Sequence, residues 1–312
     1  MARSAPTDHP RDLAAVAASE LLRAPVSRDV ELCYQTFGSP DDEPLLLVMG
    51  LGGPMTWWDE ALCRMLATEG FYVVRFDNRD SGRSSRIEAT VGRRALVQAF
   101  SGLPVRAPYS LDDMAGDAFG LMDHLGIDAA HVAGVSMGGM IAQTMAIADP
   151  HRVRSLTSIM STTGRRTVGW QHPALLPVLL TGGGTSKDAY VRQSMRVWNR
   201  IGSPGFPSTD DELRERAEAT FEHGVSPSGT LRQMVAVLTQ PDRTSRLKGM
   251  RVPTTVVHGL ADTMVHVSGG RATARAVPGA ELLLVDGMGH GLPESLFETF
   301  TTAIRRTADR AV

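Results

Sequence analysis

The sequence predicts an α/β protein, a mostly parallel sheet flanked by helices. Three observations carry this prediction. Leu45-Leu46-Leu47-Val48-Met49 is a continuous apolar run, the pattern of a strand buried on both faces, as parallel strands are. Runs of this kind alternate along the chain with helical patterns. Finally, Ala130-His131-Val132-Ala133 reads as a short buried strand that passes through Gly134-Val135-Ser136-Met137-Gly138 into a helical stretch from Met137 to Asp149. Ser136 therefore stands at a sharp strand-to-helix turn.

Taken in order, residues 1–27 read as an N-terminal extension. Met1 to Pro10 lacks the apolar run of a signal peptide, and Leu13 to Leu22 is alanine-rich enough for a short helix. Val30 to Phe37 alternates in part and reads as an edge strand. Gly38 to Pro44 is a loop rich in Pro, Asp and Ser. The strand at Leu45–Met49 ends in Gly50-Leu51-Gly52-Gly53-Pro54, a loop that lets backbone approach a ligand. Trp57 to Glu69 is a helix closed by Gly70, Tyr72 to Phe76 a strand, and Asp77 to Ser84 a polar turn. Leu111 to Leu125 is a helix ended by Gly126. Beyond the Ser136 turn come strands at Val153–Met160, Pro253–Gly259 and Glu281–Val285, with helices at Ser268–Ala276 and Pro293–Arg306.

One segment breaks this rhythm. From 164 to 245 no strand is legible. Helical patterns lie near Lys187–Arg200, Asp210–Glu222 and Thr230–Leu238, separated by Gly182-Gly183-Gly184 and by Ser203-Pro204-Gly205-Phe206-Pro207. The segment is too long for an ordinary crossover, and its place after the Ser136 turn makes it a cap or lid over the strand ends. The α/β core is then 28–163 and 246–312.

With 312 residues the chain is long enough to bury a sizeable core, and its net charge of −2 gives no reason to expect a nucleic-acid partner. No stretch has the apolar length to cross a bilayer. Cys33 and Cys63 form no metal-ligand spacing and nothing supports a disulfide, so a reducing compartment, the cytoplasm, is expected. The oligomeric state is not legible.

Ligands of open parallel sheets bind at the carboxyl ends of strands. Three chemically apt groups follow strands here: Ser136, Asp262 in His258-Gly259-Leu260-Ala261-Asp262, and His290 in Asp286-Gly287-Met288-Gly289-His290-Gly291. A serine hydroxyl is a poor nucleophile at neutral pH. It needs a base within hydrogen-bond reach, and the base needs an orienting carboxylate. Asp286 is the rival acid, but Gly287-Met288-Gly289 would have to fold back tightly to bring it to His290. Asp262 has its own plain alternative as an N-cap. Asp77 and Arg79 read as braces of the neighbouring loop. His258 and His266 flank Asp262 without a third ligand at sensible spacing, so neither a metal site nor a cofactor is expected. The remaining histidines, His124, His131, His151, His172 and His223, read as solvated or structural. Met137, Met140 and Met288 suit the core or a pocket wall. Among the tryptophans Trp57, Trp170 and Trp198, Trp170 is the candidate for the pocket wall, alongside Gly50 and Gly52 as substrate contacts.

Four marks together resemble the α/β-hydrolase superfamily over most of Val30–Arg306. They are the Gly134–Gly138 elbow, the Asp77-x-Arg79-x-x-Gly82-x-Ser84 turn, the Gly259-Leu260-Ala261-Asp262 segment and the Gly289-His290 loop. Within it, the Val48–Gly53 and Arg75–Gly82 stretches look like the aclacinomycin methylesterase type of carboxylesterase. The resemblance implies an α/β-hydrolase fold with a helical cap inserted after the sixth strand. It implies a serine hydrolase that cleaves an apolar small-molecule ester through an acyl-enzyme on Ser136, with His290 as base and Asp262 as acid. The Leu51 and Met137 N–H groups would form the oxyanion hole. Many relatives carry His-Gly where this chain has Met49-Gly50; backbone donors do not depend on that side chain. Thioesterase, amidase, carbon–carbon hydrolase and cofactor-free perhydrolase chemistry share the same three residues. A non-catalytic small-molecule-binding protein on this fold is the alternative outside enzymes. Epoxide hydrolase and haloalkane dehalogenase relatives use Asp at the elbow, where this chain has Ser136.

Overall fold

The computed structural model describes residues 13–175 and 186–311; Met1–Pro10 and the Gly182-Gly183-Gly184 break lie outside them. Eight strands make one sheet: β1 (Leu22–Ser27), β2 (Val30–Phe37), β3 (Glu43–Val48), β4 (Phe71–Phe76), β5 (Ala130–Val135), β6 (Val153–Ile159), β7 (Thr254–Gly259) and β8 (Glu281–Val285). Their order is β1-β2-β4-β3-β5-β6-β7-β8. β2 pairs antiparallel with both β1 and β4, and every other pairing is parallel.

The central strands are apolar on both faces because both faces are covered. Along β3, Leu46 and Val48 enter one hydrophobic cluster while Leu45 and Leu47 enter the other; along β5, Ala130 and Val132 part from Ala133 and Val135 in the same way. The first cluster is closed by helices α3 (Leu111–His124) and α4 (Met137–Ala148), the second by α1 (Glu60–Thr68) and by the C-terminal helix Phe297–Ala308. Asp59 caps α1 through the Ala61 N–H, and Ser110 with Asp113 forms a capping box at the start of α3.

Two elements were not anticipated. β1 lies within the stretch read as an extension, so the sheet begins before residue 28. Only Ala24 of β1 is buried and the strand contains Pro25, which an edge strand tolerates; neither leaves a period-two apolar signal. Leu13–Leu22 is not a helix throughout: it holds a single 3₁₀ turn at Leu13–Ala15 and an isolated bridge from Ala18 to Phe37. The second element is helix α2 (Arg93–Phe100), whose surface residues Val97 and Phe100 are exposed.

Between β6 and β7 run helices α5 (Lys187–Ile201), α6 (Asp210–His223), α7 (Pro227–Thr239) and the single turn α8 (Thr244–Leu247), with no strand among the described residues. Helices α9 (Ser268–Ala276) and α10 (Phe297–Ala308) complete the chain. Among the described residues no helix is long and apolar enough to cross a membrane. Cys33 and Cys63 are both free and buried, and burial raises their thiols to about 11 and about 12.

Candidate active site

The turn between β5 and α4 is sterically tight. A Cβ on Gly134 would lie 2.3 Å from the Gly138 carbonyl oxygen, and one on Gly138 would lie 2.1 Å from that of Val48. Only glycine lets strand and helix approach so closely. Ser136 itself is held at φ 56° and ψ −119°, a strained conformation for a residue with a side chain. Two bonds hold it there: Ser136 N–H donates to the Ile159 carbonyl (2.9 Å), and the Ser161 hydroxyl donates to the Ser136 carbonyl (2.8 Å).

The loops after β7 and β8 converge on this turn. The Ser136 hydroxyl lies 3.0 Å from His290 Nε2, and His290 Nδ1 lies 2.7 Å from Asp262 Oδ2. His290 and Asp262 are both buried. The His290 backbone N–H donates to the Ile201 carbonyl at the end of α5 (2.7 Å), so the ring is positioned partly by the helical segment. The other Asp262 oxygen, Oδ1, accepts the N–H groups of Met264 (2.9 Å) and Val265 (2.8 Å). The carboxylate thus also caps its own local turn, but it is not the N-cap of the following helix: α9 starts later, behind Val267, with no side-chain cap. Burial pushes the Asp262 carboxyl up. The His290 charge and the hydrogen bonds from His258 and His290 outweigh burial and hold it well below the usual carboxylate range. Asp262 is therefore ionised and can only accept from Nδ1, so the single proton of the neutral imidazole tautomer belongs on Nδ1 and Nε2 is left to accept. Such a chain can take the proton from a serine hydroxyl as it attacks an electrophilic carbon. Asp286, the rival acid, is exposed, and the nitrogen it would have to reach is already taken by Asp262.

The loop after β3 lies against the serine. A Cβ on Gly50 would be 3.2 Å from both Ser136 Cβ and the Val135 carbonyl oxygen. Met137 opens α4, so its N–H has no helical carbonyl behind it. Gly52 differs from expectation. Its N–H already donates to Gln233 Oε1 of α7 at 2.7 Å, and Thr230 packs on its Cα. That amide is not open to a substrate.

Trp170 also differs. Nearly half exposed, it stacks on His266 at 4.2 Å between ring centroids and lines a small cavity of about 190 Å³ with Asp262 and its loop, a cavity that does not include Ser136. Trp198 of α5 instead lies against Gly291, the residue after His290, its ring edge 3.4 Å from where a Gly291 Cβ would stand. Trp57 meets Trp198 edge to face at 5.2 Å, and the Arg216 guanidinium lies over the Trp198 ring at 3.9 Å. Met137, Met140 and Met288 are core residues. A larger cavity, about 640 Å³, lies between residues 86–91 and α7 and includes none of Ser136, Asp262 and His290.

Further polar groups brace the loops around the site. Asp77 accepts the Met55 and Arg83 N–H groups, bracing the loops as expected, and also meets His223 Nε2 of α6 at 2.7 Å. Asp80 is paired by Arg232, and Arg79 by Asp117. His258 Nε2 donates to the Val265 carbonyl (2.8 Å) and sits 3.5 Å from Asp262 Oδ2. Arg232 and Gln233 are buried polar residues on a helix whose inward face could not be chosen from its period alone. Among the described residues no three His, Cys, Asp or Glu side chains gather to hold a metal ion.

Fold and site together define the class. The chain belongs to the alpha/beta hydrolase fold family, whose model matches residues 43–294. It is 27% identical over 300 residues to rhodomycin D methylesterase DauP of Streptomyces sp. (strain C5), covering 88% of this chain and 94% of that protein. It is 25% identical over 296 residues to rhodomycin D methylesterase DnrP of Streptomyces peucetius, with the same coverage of 88% and 94%. Among solved structures, the enol-lactonase from Burkholderia xenovorans LB400 shares the fold with a TM-score of 0.73 at 21% identity, over 93% of this chain and 100% of that one.

Proposed function

We propose that this protein is a serine hydrolase that cleaves a carboxylic ester, with Ser136 as nucleophile, His290 as general base and acid, and Asp262 as the orienting carboxylate. The observation that carries the reading is the unbroken hydrogen-bonded chain from Ser136 through His290 to Asp262 at a strained turn. His290 Nε2 takes the hydroxyl proton as Ser136 Oγ bonds to the ester carbonyl carbon. The N–H groups of Leu51 and Met137 receive the negative charge that develops on the carbonyl oxygen. Collapse expels the alcohol, protonated by His290, and leaves an acyl-enzyme. A water deprotonated by the same nitrogen then releases the acid and restores the hydroxyl. Asp262 holds the tautomer and stabilises the imidazolium.

In this reading residues 164–245 are a cap over the reacting groups, and the core is formed by the segments on either side. The supporting contacts are Ile201 on His290, Gln233 on Gly52 and His223 on Asp77. The substrate class is a methyl ester of a bulky, largely apolar acid. Trp57 and Trp198 support the apolar part, and the two methylesterase relatives support the methyl ester. Two buried free thiols fit a cytoplasmic setting. The test is a fluorophosphonate probe, located by peptide mass spectrometry, with turnover of a panel of methyl esters, thioesters and lactones. A Ser136 adduct with methyl-ester turnover is expected; an adduct elsewhere, or turnover of thioesters alone, would overturn the reading.

A further inference from the structure

We infer that Gln233, on cap helix α7, is a positioning residue for the oxyanion hole. The inference rests on the reading above that the Leu51 N–H is one of its two donors. Gln233 is fully buried, and its amide is used at both ends. Oε1 accepts the Gly52 N–H at 2.7 Å; Nε2 donates to the Arg79 carbonyl at 2.8 Å and to the Ser81 hydroxyl at 2.9 Å. The turn after β4 thus fixes the amide, and the amide fixes the loop.

The geometry explains why this matters to a neighbouring N–H. A peptide unit is planar, so holding the Gly52 N–H orients the whole Leu51–Gly52 peptide. On the other side, Asn78 Nδ2 donates to the Met49 carbonyl at 2.9 Å and orients the Met49–Gly50 peptide. The Leu51 N–H belongs to the single peptide between these two anchors. Gly52 sits at φ +65°, a backbone state in which a non-glycine residue would be strained, and Thr230 closes over it. One anchor comes from the core and the other from the cap. The cap therefore acts on the chemical step as well as on substrate choice.

Gln233→Asn and Gln233→Glu test this in the full-length enzyme. Asn keeps a neutral amide but is one methylene too short to hold Gly52. Glu keeps an acceptor oxygen at the right reach but buries a carboxylate against a carbonyl. If Gln233 only filled space and satisfied buried groups, Glu would be the worse variant in every measurement. Positioning gives opposite orders: Gln233→Glu has the lower Tm, and Gln233→Asn the lower kcat. For Asn, kcat should fall about tenfold to a hundredfold with KM within about twofold. The affinity of a trifluoromethyl ketone, which forms a tetrahedral adduct on Ser136, should weaken by the same factor as kcat falls. Should Glu fail to fold, that parallel loss in Asn alone decides the matter. Wild-type kcat and adduct affinity in Gln233→Asn, or a larger kcat loss in a folded Glu variant than in Asn, would overturn the inference while leaving the ester-hydrolase reading intact. Wild-type enzyme that hydrolyses no ester and forms no Ser136 adduct would overturn both.

Discussion

Arg232 and Asp80 form a bidentate ion pair across the joint between α7 and the turn after β4, with Nη2–Oδ1 at 2.6 Å and Nε–Oδ2 at 2.8 Å. Both residues are buried, and Asp80 also accepts the Tyr109 hydroxyl at 2.7 Å and the Ile87 N–H at 2.9 Å. Removing one partner of such a pair leaves an uncompensated buried charge. Arg232→Ala should therefore destabilise the protein by about 3–5 kcal/mol, measured by urea unfolding. Adding Asp80→Asn to it should recover a large part of that loss, because the stranded charge is gone. Equal stability of the single and double variants would show that the pair does not couple α7 to the turn after β4.

The same carboxylate makes stability depend on pH. Burial raises the Asp80 carboxyl, but hydrogen bonds from Arg232, Ile87 and Tyr109 prevail and set it below its ordinary value of 3.8. A carboxyl whose folded value is depressed contributes stability that is complete above the unfolded value. That contribution is lost as pH falls from there through the folded value. Urea midpoints between pH 7 and pH 3 should show an acid-side decline that Asp80→Asn makes shallower. Some slope should remain from Asp262, which is depressed as well. An unchanged slope in Asp80→Asn would remove Asp80 from the account.

At the elbow, stability and catalysis oppose each other. Ser136→Ala should reduce kcat by on the order of 10⁴ to 10⁶ with the fold intact, since in the proposed mechanism the hydroxyl reacts and does not pack. Ser136→Gly should be as inactive yet more stable, by about 1 kcal/mol, because glycine accepts φ 56° without strain. Paired thermal melts and kcat values on one ester check both parts. Near-normal activity in either variant would sink the mechanism.

Much of this was legible in the sequence because the chemistry confines itself to strand ends. The Gly134–Gly138 spacing points to Ser136 and the loops after the last two strands to Asp262 and His290, and these three side chains meet in the fold. What escaped was set by packing across long sequence distances. Trp170 and Trp198 are equally aromatic and both lie in the inserted segment; that Trp198 is the one against Gly291 depends on how α5 docks there. Gln233 reaches Gly52 from 181 positions away, and a lone glutamine in a helix carries no periodic signal. β1 was hidden because an edge strand with one buried residue needs no apolar pattern. A flexible glycine loop suggests open backbone at Gly52, whereas its N–H is occupied by Gln233 of α7.

The choice between the two acids can be tested through the tautomer of His290. In Asp262→Asn the side chain keeps its shape, but its oxygen and nitrogen must choose positions. Two N–H groups, from Met264 and Val265, converge on the site of Oδ1, so the amide oxygen belongs there. The NH₂ group then points at His290 Nδ1 and, with His258 Nε2 3.5 Å away, has no better alternative. An NH₂ facing Nδ1 requires that nitrogen to accept, which moves the ring proton to Nε2, against the Ser136 hydroxyl. His290 can then no longer take the serine proton. The amide exchange should lower kcat by roughly 10⁴, as it does in a well-studied serine protease triad, with KM and Tm changed far less. Asp286 is exposed, so Asp286→Asn should keep kcat within about twofold, any local hydrogen bond it loses being worth only about 1 kcal/mol. Both variants are to be assayed on one ester beside a thermal melt. A silent Asp286→Asn with an active Asp262→Asn would transfer the orienting role to Asp286 and leave Ser136 and His290 in place.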